Sequence, residues 1–207
     1  MLKRDATAIT GGLSAPGKMP EGAYSIPAAE CGVGSRLRDV KGSVCEECYA
    51  FQGRYALGPV QAALYRRFEA TMSHPEWVDA MATLIQGKRH FRWHDSGDIQ
   101  DVAHLQRIVA VCERTPETMH WIPTREYDIV KKYRKAHGEF PANLIVRLSA
   151  HMVDGDAPDV GLPVSIVVSN GTTPQGFTRC SAPQTAGKCA DCRACWTPTV
   201  NVAYGLH

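Results

Sequence analysis

Seven of the eight cysteines in this 207-residue chain fall into two clusters, and their spacing is what could do chemistry. Near the start, Cys31, Cys45 and Cys48 read C-x13-C-x2-C, with Tyr49 next. Near the end, Cys180, Cys189, Cys192 and Cys195 read C-x8-C-x2-C-x2-C, with Trp196 next. Thiolates in such runs hold iron–sulfur clusters or zinc. Three on one loop can occupy three corners of a metal centre and leave the fourth open, which separates a catalytic site from a structural one. Four close a site. The closely spaced C-x2-C-x2-C suits one face of a [4Fe–4S] cube with Cys180 as a remote fourth ligand. Zinc on four cysteines is the alternative, although it usually uses two separate knuckles. The first trio leaves three readings open. It fits an iron–sulfur cluster with one free iron, a zinc site completed by a distant histidine or aspartate, or a centre shared with the second cluster. Cys112 stands alone and reads as a small buried core residue.

A second constellation is the polar run His94, Asp95, Ser96, Gly97, Asp98, with His120 and His151 beyond it. Histidines and carboxylates converging at one mouth could bind a divalent metal and hydrolyse a phosphodiester. The plainer alternative is that Asp98 caps the next helix and His94 makes ordinary core hydrogen bonds. Arg125 and Arg147 could grip a carboxylate or phosphate in bidentate fashion. Arg147 lies within an apolar run, so burial would force it to find partners.

These residues need elements to position them. Helical spacing begins at Pro59, with Val60, Ala63, Leu64, Phe68 and Met72 inward and Arg66-Arg67 on the wet side. Ser73-His-Pro-Glu76 has the form of a capping box for a second helix, with Trp77, Val78, Met81, Leu84 and Ile85 on its face and Gly87 to end it. A third carries Ile99, Val102, Leu105, Ile108, Val109 and Cys112, and a fourth carries Tyr127, Val130 and Tyr133. Strand-like runs lie at Tyr24–Pro27, at Phe91 onward, and at 120–124, 143–150 and 164–169. Strands alternating with helices predict an α/β fold with a parallel sheet. Each run ends in polar residues, and parallel sheets bind ligands at the carboxyl ends of their strands.

The expected organisation is a single domain. Residues 1–22 would be an extended arm, 23–170 the α/β core with its cysteine loop at 31–48, and 171–207 a metal-binding tail without a core of its own. Hydrophobic content of 44% and charged content of 21% suit a globular protein. No apolar run approaches the roughly 20 residues that span a bilayer, and the N-terminus lacks a secretory h-region. A cytoplasmic placement follows, in which clustered cysteines favour metal over disulfides. A net charge of +2 and no basic–aromatic stripe leave a nucleic-acid or nucleotide partner open without supporting one.

The stretches GSVCEECYA, FRWHDSGDIQ, HWIPTREY, RLSAHM and CRACW resemble the phage gene product 88 family, across nearly the whole chain. More distantly, the order of strand, cysteine loop ending C-x2-C-Y, helix, and strand ending S-G-D is similar to radical S-adenosylmethionine (SAM) enzymes and their phage-encoded relatives. That likeness implies a parallel partial (β/α) barrel and a [4Fe–4S] cluster on Cys31, Cys45 and Cys48 whose free iron binds SAM. It also implies a cofactor contact by Gly97 and Asp98 in the second-strand turn, with Tyr49 as the aromatic after the last cysteine. Ser149, at another strand end, joins the cofactor-binding candidates. His94, Asp95, Asp98 and Arg147 are the catalytic candidates. The sequence departs from the likeness in its thirteen-residue first gap, where three is common, and in offering five strands. The other functional classes are a non-catalytic metal-stabilised binding module and a metal-dependent phosphodiester hydrolase. A phage setting places the chain in a host cytoplasm.

Overall fold

Every run that reads as a strand is one, and each lies parallel to its neighbours. The structure is a computed structural model that describes residues 1–206. Its strands are β1 (Ala23–Tyr24), β2 (His90–Trp93), β3 (Met119–Thr124), β4 (Leu144–Val153), β5 (Val164–Val168), β6 (Phe177–Arg179) and β7 (Asn201–Gly205). They form one seven-stranded parallel sheet in the order β1-β2-β3-β4-β5-β7-β6. Among the described residues no pairing joins β1 to β6, so the sheet is not closed. The helices are α1 (Lys3–Thr10), α2 (Gly32–Leu37), α3 (Gly58–Ser73), α4 (Trp77–Ile85), α5 (Val102–Arg114) and α6 (Tyr127–His137).

Alternation along the strands sorts the two faces. Phe91 and Trp93 of β2, Ile122 of β3, and Leu144, Val146 and Leu148 of β4 are buried in one cluster. They meet Trp77, Met81 and Ile85 of α4, Leu105, Ile108 and Cys112 of α5, and Val130 and Tyr133 of α6. Cys112 is fully buried there, as its isolation predicts. On the opposite face Trp121 packs with Met19, Ala23 and Trp196, and Cys189 and Cys195 lie against them. The tail thus covers the face of the sheet that the helices leave bare. Two faces covered is what a parallel sheet requires.

Several expectations change. Residues 1–22 are not simply an extended arm, because α1 packs against α3 and α4 and buries Ala6 and Thr10. The tail is not a segment without regular structure: it contributes β6 and β7, and β7 lies between β5 and β6 in the sheet. Their runs of three and five residues carry too few apolar positions to show a period. β1 and β6 are the two edge strands and do not pair. Ser73 closes α3 instead of capping α4, its hydroxyl donating to the Glu69 carbonyl, and α4 has no side-chain cap. Asp98 does not cap α5. That role falls to Asp101, whose carboxylate accepts from the His104 N–H at 2.7 Å. Arg67 is half-buried and donates to the Gly12 and Leu13 carbonyls, which ties α3 to the N-terminal segment.

Candidate metal centre

The cysteine loop has little regular structure of its own, so its place is fixed by the strand ends beneath it. From β4, the His151 carbonyl accepts the Val44 N–H, and Val153 N–H donates to Gly42. Ser43 pairs with Met152, and its buried hydroxyl accepts from the Cys45 N–H. From the end of β3, Glu126 accepts the Val33 N–H at 2.6 Å. From the end of β2, the Asp95 carbonyl accepts the Tyr49 hydroxyl and its carboxylate accepts the Tyr55 hydroxyl. Tyr49 keeps 55% of its surface exposed while its hydroxyl reaches inward. Three successive strand ends therefore hold one loop.

Of the predicted thiols, Cys31 and Cys45 stand close together and Cys48 lies within electrostatic reach of both. The Sγ atoms of Cys31 and Cys45 lie 3.6 and 3.7 Å from the point where a Cβ on Gly34 would stand. Burial pushes the Cys31 thiol far up, and Asp98, Cys48 and Cys45 add to it while Arg125 opposes them. Burial also raises Cys45, with Arg125 opposing and Cys48 and Asp98 reinforcing. Three thiols, one carboxylate and one guanidinium thus share a neighbourhood at the carboxyl ends of β1 to β3.

Asp98 organises the floor. Its carboxylate accepts from the Ile99 N–H at 2.7 Å, the Thr124 hydroxyl at 2.6 Å and the Arg125 N–H at 2.9 Å. Burial outweighs these bonds and raises its pKa to about 6. Gly97 has φ +84°, and a Cβ there would come within 2.3 Å of Ile26 Cγ1 and 2.8 Å of the Ile26 carbonyl oxygen. Only glycine lets this turn press against the chain leaving β1, where Ser96 accepts the Ile26 N–H. His94 also has positive φ, +54°, and is buried with neither ring nitrogen hydrogen-bonded. The core hydrogen bonds expected of it are not made. Its ring meets that of His104 edge-on at 5.2 Å, and burial lowers it well below the usual histidine range. Ser149 is buried and shares a hydrogen bond with Ser165, while its carbonyl accepts the Tyr127 hydroxyl.

Arg147 stands apart from this group. It is fully buried on the tail face, where Nη1 donates to the Val164 and Val200 carbonyls. Its Nη2 donates to Ala194, Cys195 and Thr197. The forced partners predicted for a buried arginine are carbonyls, and they bind the tail to the sheet.

Below it, Cys180, Cys189, Cys192 and Cys195 line a single pocket on that face, with Trp121 and Tyr204. Cys195 Sγ lies 3.2 Å from the Tyr204 hydroxyl. The two cysteine groups are therefore separate, one at the strand ends and one over the sheet face. Among the described residues no three His, Cys, Asp or Glu side chains converge on one ion-sized point. Between them lies Arg92, stacked on Trp121 at 4.7 Å. Tyr49 and Asp95 from the loop side and Tyr204 and Cys195 from the tail side all lie near its guanidinium. Sequence reasoning passed over Arg92, although a cation between Phe91 and Trp93 is the same signal that marked Arg147.

No helix is long and apolar enough to cross a membrane. Neither the curated proteins nor the solved structures contain a match to the chain. One family model does match, that described as gene product 88, over residues 1–198, and the chain belongs to the gene product 88 family.

Proposed function

We propose that this protein is a minimal radical SAM-like enzyme. Cys31, Cys45 and Cys48 would hold a [4Fe–4S] cluster over the carboxyl ends of a partial barrel. The observation that carries this reading is the loop itself, three thiols on one segment tied to the ends of β2, β3 and β4 beside Asp98 and Arg125. When bound and reduced, such a cluster would supply the one electron needed for reductive cleavage of SAM.

The donor set fits, since three cysteines and an open corner are what such a centre needs. The chain's own residues do the positioning. Ser43 and Glu126 fix the loop backbone, so the thiols start from a set arrangement. Asp98 holds the β3 end through Thr124 and the Arg125 N–H, which sets Arg125 beside the thiols. The Arg125 guanidinium supplies positive charge there, suited to an anionic metal–thiolate group or a cofactor carboxylate. Cys45 is buried, while Cys31 and Cys48 are partly exposed. The reducing cytoplasm suits metal-binding cysteines. A nucleic acid or nucleotide is a natural substrate class for a phage-encoded enzyme.

The hydrolase alternative has less support. It needs His94, Asp95 and Asp98 on one ion, yet the Asp98 carboxylate already accepts three bonds and that of Asp95 accepts from Tyr55.

The test is spectroscopic. Protein prepared anaerobically, reconstituted with iron and sulfide and then reduced, should give an electron paramagnetic resonance signal that SAM shifts. Cys48→Ser should abolish the shift. A reconstituted protein that binds only zinc, or a cluster signal that SAM leaves unchanged, would overturn the proposal.

A further inference from the structure

We infer that the pocket on the tail face is a second metal site, an iron–sulfur cluster closed by four cysteine ligands: Cys180, Cys189, Cys192 and Cys195. It is independent of the loop centre. Its four thiols come from the turn after β6, from the irregular segment 189–192 and from the 3₁₀ turn Ala194–Trp196, and all line one pocket. No other residue pattern in the chain gathers four soft donors.

The surroundings point to an anionic occupant. Trp121 is 3% exposed and lines the pocket, yet its indole N–H has no acceptor. Arg179, also lining it, leaves Nη1 without a partner, and the Nε atoms of Arg92 and Arg147 nearby are unpaired too. A buried donor without an acceptor is uncommon and asks for an explanation. Sulfur ligands and cluster sulfides accept such N–H groups. The charges agree. Lys18 and Arg92 act on Cys189, Arg147 and Arg92 act on Cys195, and no carboxylate is among the groups that act on either. A centre with four thiolates is negatively charged overall, and these cations offset it. On binding, each cysteine loses its proton to solvent and gains one metal–sulfur bond.

The spacing sets the division of labour. Cys189, Cys192 and Cys195 bind from one short segment, and Cys180 closes the fourth corner from the end of β6. With four protein ligands the cluster has no open iron, so it is structural or carries electrons.

The decisive sample is the full chain with Cys45→Ser and Cys48→Ser together, which removes the loop centre whatever that centre is. After anaerobic reconstitution it should hold about four iron and about four sulfide per chain. Trypsin should then cut residues 180–196 more slowly than in the same protein stripped of metal. Adding Cys189→Ser and Cys192→Ser should remove that iron, with far-UV circular dichroism as the check on folding. If the loop variant holds zinc alone or no metal, the inference is wrong, even if the fully substituted chain fails to fold. Failure of the radical SAM reading would appear instead in the native chain, as iron without any response to SAM.

Discussion

The cysteine loop and the cysteine tail carry the same chemistry but are held in opposite ways. The loop owns no strand and hangs from the ends of β2, β3 and β4 by side chains and backbone bonds around Asp95, Glu126 and His151. The tail brings two strands of its own and is fixed to the sheet face by one buried guanidinium. A loop held only by its edges can reshape around a ligand at little cost to the core. A segment that includes β7 cannot leave without opening the sheet. The tail therefore has order that owes nothing to metal, and loss of one tail cysteine should leave β6 and β7 paired.

The largest effect should come from breaking the tail's anchor. In Arg147→Met five carbonyls lose a donor, three of them in the segment Ala194–Thr197. Each buried acceptor left without a donor costs about 1–3 kcal/mol, and several are stranded at once, so the loss should be at least about 3 kcal/mol. Urea denaturation should show a loss of that order. Arg147→Lys should recover little of it, because an ammonium cannot span the fork of carbonyls. A loss below about 1 kcal/mol, the scale of one ordinary hydrogen bond, would mean that the strands hold the tail unaided.

The same contrast explains what the sequence made legible. β1 to β5 fall in apolar runs bounded by polar turns, so five strands and the helices between them could be read, and with them the strand ends where the loop sits. β6 and β7 could not. Phe177–Arg179 is only three residues long, and Asn201–Gly205 alternates around a glycine and an asparagine, so partners rather than intrinsic pattern make them strands. The cysteines were legible by type and spacing. Their separation onto an edge and a face was not, because it depends on where β7 inserts. Arg147 was marked by its apolar neighbours, but only the fold reveals that its partners are carbonyls. Asp98 reads as a cap by its place before a helix, but Asp101 takes that role, and the bonds of Asp98 to Thr124 and Arg125 are long-range.

Asp98 gives the next largest effect, and it acts on the loop side alone. Folding raises its pKa from 3.8 to about 6 through burial. A carboxyl that holds its proton more tightly in the folded state stabilises fully below its unfolded pKa. That contribution is lost as the pH rises through about 6. At about 1.4 kcal/mol per pKa unit the change is roughly 3 kcal/mol. His104 and His120 oppose it. Burial lowers them to about 4 and about 3, so the stability they carry at neutral pH is lost as the pH falls below about 6.5. Subtracting metal-free Asp98→Asn from the metal-free parent removes the histidines from the comparison. From pH 4 to pH 7 the variant should gain about 2.4 kcal/mol relative to the parent, read from denaturation midpoints. A constant difference across that range would mean that Asp98 stays ionised in the fold. The guanidinium anchor of the tail does not titrate in this range, so the pH contrast belongs to the loop.

The smallest effect probes the connection between the two regions. Tyr49→Phe removes only the hydroxyl that donates to the Asp95 carbonyl, one neutral hydrogen bond worth about 1 kcal/mol. The ring remains against Tyr55, with centroids 5.7 Å apart, so the loop should stay folded. Amide hydrogen exchange in residues 45–57 should then quicken about fivefold, as a loss of about 1 kcal/mol in local opening implies. The tail should be unaffected if the loop merely hangs from the strand ends. Arg92 offers the one path by which it would not be. Its guanidinium lies within the influence of Tyr49 and Asp95 on one side and of Tyr204 and Cys195 on the other. The stack of Arg92 on Trp121 holds it from the sheet side independently of Tyr49. That support predicts unchanged exchange in residues 189–196 of the variant. Equal quickening there would show that the loop and the tail behave as one unit joined through Arg92, and the contrast between an edge-held loop and an anchored tail would fail.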